Sequence, residues 1–168
     1  MEPSADRRPS LLPVIAGAAL LIGTLDLIDA FVFFGYIGVP AIRVPQSIAT
    51  GFLGQLAYHD GMISAAFGLI LHYLIAFSIA GVYFYISGEL PLHRKPILSG
   101  AIYGVAVYCF MNYIVIPISN FYPQPHFAVR PFINGILGHI LLIGIPLGLI
   151  AKRYVQGPKR RTREHFAR

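Results

Sequence analysis

Asp26 and Asp29 stand three residues apart near the end of an apolar run, Leu11 to Tyr36. At that spacing the two carboxylates share one side of a helix. Such a pair resembles a ligand set for a divalent cation or a diphosphate, and it is also a place to bind a proton. The other polar residues set into apolar sequence are His72, Asn112, Asn134 and His139. Asp and His chains inside membranes serve as proton relays, and imidazole changes its charge near neutral pH. Two facing imidazoles can also ligate a b-type haem, which makes His72 and His139 candidate haem or metal ligands. Arg43 follows the acidic run and is the expected partner of Asp26 or Asp29, folded inward from the loop. Against these chemistries stands a structural reading. Interhelical polar contacts fix register and contribute about 0.6–2 kcal/mol each without doing any chemistry.

No catalytic motif accompanies these residues. The sequence contains no GxSxG, HExxH, P-loop or dinucleotide fingerprint. Ser64, Ser78 and Ser99 have no base beside them in the chain. A non-enzyme without a cofactor is therefore expected, with the polar set structural or handling protons or ions. A haem- or metal-binding protein and an accessory subunit of a larger membrane complex remain the alternatives. Cys109 is the only cysteine, so an intrachain disulfide is excluded.

The elements that must position these groups are membrane spans. Of 168 residues, 56% are hydrophobic and 12% charged. A soluble domain carries about 45–50% and about 25%. A spanning helix needs about 20 apolar residues. Four stretches meet that need: Leu11 to Tyr36, Met62 to Ser87, Ile97 to Ser119 and Phe132 to Tyr154. The composition thus predicts an all-α, four-helix transmembrane bundle in a single domain over 1–168, with 155–168 as a basic tail. Arg7 and Arg8 precede the first run as in a signal peptide. The run is too long for one and holds two Asp, so a retained first helix is expected. Pro91 and Pro96 punctuate a short polar hairpin between the second and third spans. Pro117 and Pro146 should kink the third and fourth. Between the first and second spans, Ile48, Phe52, Leu53 and Leu56 recur at helical spacing. This short helix lies in the interface plane or dips into the bundle as a re-entrant piece.

Charge sets the expected direction. Arg7, Arg8, Arg94, Lys95, Lys152, Arg153, Lys159, Arg160, Arg161, Arg163 and Arg168 fall on one side, and only Arg43 and Arg130 on the other. The positive-inside rule then places both termini in the cytoplasm, in a bacterial inner membrane. The net charge of +6 is thereby assigned to topology and to anionic lipid, not to nucleic acid. At about 1.5 Å per residue, Asp26, Asp29, Asn112, Asn134 and His139 lie in the outer half and His72 near the middle. Ser64, Gly68, His72, Ala76 and Ala80 form an i+4 stripe on the second span, and Gly100, Gly104, Tyr108 and Asn112 one on the third. Small residues in register permit close helix approach. They also suit association with a second copy or a partner subunit.

From His72 to the C-terminus the chain resembles the YagU-like bacterial inner-membrane proteins. The resemblance rests on the His72 helix with Ile75 to Tyr83, the Leu-Pro hairpin and the Ser99 to Gly104 opening of the third span. It continues in the Pro117 exit, Gly138-His139 and the basic end. It implies a small multi-pass inner-membrane protein and supplies no catalytic residue.

Overall fold

The computed structural model describes residues 10–156. They form helices and loops, with no strand among the described residues. Helix α1 is Leu11–Tyr36 and α2 is Arg43–Leu53, followed by a 3-10 turn at Gly54–Tyr58. Helix α3 is Gly61–Glu89, α4 is Pro96–Ile118 and α5 is Val129–Val155. The four long helices are apolar and long enough to cross a membrane. The chain is an all-α bundle and reads as a membrane protein. Its surface agrees: Leu20, Val32, Ile70, Leu74, Ile102 and Leu141 are exposed along the spans. A water-soluble protein could not leave that much contiguous apolar area uncovered. Arg7, Arg8 and the tail charges Lys159, Arg160, Arg161, Arg163 and Arg168 lie outside the described residues.

Glycine decides which helices touch. Helix α1 packs on α3, α3 on α2, α4 on α5, and α5 on α1. A Cβ on Gly104 would overlap the His139 carbonyl, and one on Gly100 would overlap that of Gly144. At Gly68 the obstacle would be the Pro45 carbonyl of α2. The bundle core lies in the half nearer the 90–95 hairpin. It includes Ile22 of α1, Ala80 and Tyr83 of α3, and Ile143 and Leu147 of α5.

Helix α2 presents a face opposite to the one its apolar spacing suggests. Phe52, Leu53 and Leu56 are exposed, whereas Val44, Pro45, Gln46, Ala49 and Thr50 are buried. In a bilayer large apolar side chains have no reason to turn inward, and close backbone contact requires small ones. The buried face is pinned on both sides. Gln46 Nε2 donates to Gly61 O at 2.9 Å, at the start of α3. The segment after α4 returns Asn120 N to Gly51 O and Tyr122 N to Thr50 Oγ1, each at 3.0 Å.

Both expected proline kinks take a particular form. The helices widen to π geometry at Met111–Val115, ahead of Pro117, and at His139–Gly144, ahead of Pro146. Proline lacks the N–H that would bond the carbonyl four residues earlier, and its ring crowds that carbonyl. Those carbonyls belong to Tyr113 and Leu142, each inside a widened turn, and a π turn relieves the crowding.

Candidate functional site

The half of the bundle nearer α2 holds the polar set, and two of its histidines have one nitrogen each fixed by backbone. His72 Nε2 lies 2.8 Å from Gly23 O. A carbonyl only accepts, so Nε2 carries the proton and Nδ1 is left without a partner among the described residues. Gly23 makes this approach feasible, because a Cβ there would stand 3.1 Å from Ala76 and the Tyr73 ring. Helix carbonyls point toward the C-terminal end. The bond therefore holds the imidazole beside the turn that carries Asp26.

His139 is fixed in the opposite tautomer. Its Nδ1 donates to Gly135 O at 2.8 Å, leaving Nε2 without a partner among the described residues. Its ring stands edge-on to buried Tyr108, with centroids 5.4 Å apart. The π turn begins at His139 itself. The sequence signal for this was Pro146, seven residues on.

Asp26 is within electrostatic reach of both imidazoles. It has no hydrogen bond among the described residues, and its electrostatic neighbours are His139, His72 and Asp29, in that order. Asp29 faces α5, where Asn134 Nδ2 donates to its Oδ2 at 2.8 Å. The same oxygen lies against Gly138, 3.2 Å from where a Cβ would stand. Asn112 is turned to its own helix, with Nδ2 donating to Tyr108 O at 3.0 Å. It thus shares a helix with the cluster's Tyr108 without bonding the carboxylates.

The expected pairing of Arg43 with Asp26 or Asp29 is not what the structure contains. Arg43 is exposed at the first turn of α2. Its Nη1 donates to Tyr58 O at 3.1 Å, and its guanidinium lies 4.9 Å from the Tyr58 ring centre. Burial pushes the Tyr58 phenol above its ordinary value, and the Arg43 charge pulls the other way. The phenol stays neutral and donates to Tyr122 O at 3.0 Å. Arg43→Gln is accordingly expected to cost about 0.5–1 kcal/mol, the worth of an exposed cation–π contact. Thermal melting in detergent would check this. A loss far above that size would restore Arg43 to the core network.

Hydroxyl pairs that hydropathy concealed complete the polar inventory. Thr24 Oγ1 and Tyr73 OH are 3.0 Å apart, joining α1 to α3. In the hairpin half Tyr103 OH donates to Ile79 O at 2.7 Å, and Tyr83 OH lies 3.2 Å from Ser99 Oγ. Tyrosine in a span counts as apolar in sequence, so hydropathy gives no sign of these bonds. Among the described residues no group of three or more His, Cys, Asp or Glu could hold a metal ion. For haem the two histidines differ. His139 offers a free Nε2 backed by an Nδ1–H bond, as ligating imidazoles do. His72 has its Nε2 committed to Gly23.

Comparison with protein-family models, curated proteins and solved structures gives no match for this chain.

Proposed function

We propose that this is a multi-pass protein of a bacterial inner membrane, with both termini cytoplasmic, whose core binds and releases a proton at a His72–Asp26–His139 centre. One observation carries the reading: Asp26 has no hydrogen bond among the described residues, yet it interacts electrostatically with two imidazoles whose remaining nitrogens have none either. Three groups that exchange protons keep an atom without a hydrogen bond among the described residues, while Asp29, Asn112 and Asn134 are bonded. Neutral imidazole with one nitrogen fixed as donor can take a proton only on the other. The backbone bonds of His72 and His139 thus select Nδ1 and Nε2 as the exchanging atoms.

The centre is one-sided on this reading. The buried Ile22, Ala76, Ala80 and Leu147 close the hairpin half, so protons would reach Asp26 from the α2 end. The charge bias of the sequence supports making that end the outer one. This assignment also agrees with the YagU-like resemblance.

A structural role is the second reading, favoured by the Asp29–Asn134 bond across α1 and α5. Imidazole 15N spectra of the reconstituted protein over pH separate the two. The expected result is a shared, multi-step titration of His72 and His139, which Asp26→Asn reduces to two independent single steps. Identical titrations in wild type and Asp26→Asn would sink the proton reading and leave the structural one.

A further inference from the structure

Helices α1 and α5 part at their α2 end, leaving an open groove of about 600 Å3 between them. That volume lies within the ~300–1,000 Å3 typical of sites for small ligands. Its wall is mostly apolar, with Phe33 from α1 and Ile133, Leu137 and Leu141 from α5. Arg130 stands at the mouth, while Asp29 and Asn134 lie further in. Arg130 is exposed and has no hydrogen-bond or ion-pair partner among the described residues.

We propose that this groove binds one phospholipid of the surrounding leaflet, its phosphate on Arg130 and one acyl chain along the α5 wall. Length and charge both select this occupant. Arg130 is the second residue of a span and therefore stands at headgroup level, whichever way the chain is oriented. Leu141 lies eleven residues further along α5, about 16 Å deeper. That matches the ~15 Å of one leaflet's hydrocarbon. A guanidinium offers a phosphate two parallel N–H donors. The Asp29 carboxylate does not compete for Arg130, since Asn134 holds it about a turn deeper. An apolar groove of this depth on a spanning surface is filled by acyl chains unless a protein covers it. The unpaired cation at the mouth distinguishes a phosphate-bearing lipid from a neutral one.

The chain has no tryptophan, so Phe33→Trp creates a single indole in the groove. Its emission is read in maltoside micelles, which contain no phosphate. Phosphatidylglycerol or diacylglycerol, each with dibrominated acyl chains, is added as quencher. The expected result is saturable quenching, with phosphatidylglycerol binding about tenfold more tightly than diacylglycerol. Arg130→Gln in the same background should abolish that preference, and Arg130→Lys should retain part of it, as a point charge without the fork. An unchanged melting temperature shows that each variant is folded. Equal quenching by both lipids in the Arg130 protein, or a preference that survives Arg130→Gln, overturns the proposal. Dimeric protein whose indole neither lipid quenches also overturns it and assigns the groove to a second copy. None of these readings involves the proton centre, so either proposal can fail alone.

Discussion

Gly104→Val is expected to lose most of its folded protein, as is any such substitution at the α4–α5 glycines Gly100, Gly144 and Gly148. At Gly104 the obstacle is the carbonyl of His139, a backbone atom in the middle of a helix. A side chain can rotate out of the way of a new methyl group, and a carbonyl cannot. Overpacking costs about 1–3 kcal/mol where neighbours can shift, so a rigid neighbour puts this substitution at or above about 3 kcal/mol. It would also displace the first residue of the π turn and with it the His139 ring that packs on Tyr108. Gly17→Val is the matched control, because nothing lies within 4 Å of a Cβ there. Melting temperature and folded yield in detergent should fall for the first and hold for the second. Equal behaviour of the two would mean that α4 and α5 are not packed through their glycines.

The second large effect belongs to Asn134. Its amide supplies the only hydrogen bond to the Asp29 carboxylate among the described residues. Asn134→Leu leaves that carboxylate against apolar side chains without a donor. An orphaned polar group costs about 1–3 kcal/mol, and more where it is charged. Removing both partners, as in Asp29→Leu with Asn134→Leu, should recover most of the loss, since an apolar pair of similar size leaves nothing unsatisfied. Unfolding free energies of the two single variants and the double variant form the cycle that checks this. Additive losses would show that the two side chains act separately, and the bond across α1 and α5 would then contribute nothing.

Much of this molecule was legible because a bilayer imposes simple rules. Every span must be helical and about 20 residues long, so the four apolar runs fixed the fold class and nearly the boundaries. The expected second run, Met62 to Ser87, becomes Gly61–Glu89, and the fourth, Phe132 to Tyr154, starts three residues earlier. The i+4 stripes Ser64 to Ala80 and Gly100 to Asn112 marked faces turned toward other helices, except at Asn112, whose amide bonds its own helix. Arg43 was misplaced because charge and order along the chain say nothing of which way a loop residue turns. The helix it opens buries its small polar face and leaves Arg43 outside.

By itself the sequence determined an all-α bundle of four spans and a polar set confined largely to one half of it. Those features follow from transfer free energy and helical period, which act residue by residue along the chain. Only the tertiary structure decided which polar groups meet. It gave Asn134 to Asp29, turned Asn112 back on its own helix, set His72 and His139 in opposite tautomers, and left Asp26 unbonded among the described residues. Those choices depend on the rotation and spacing of separate helices, set by glycine contacts and by π turns ahead of two prolines. Side-chain geometry across helices changes over a few ångströms, a distance that hydropathy and charge patterns do not encode.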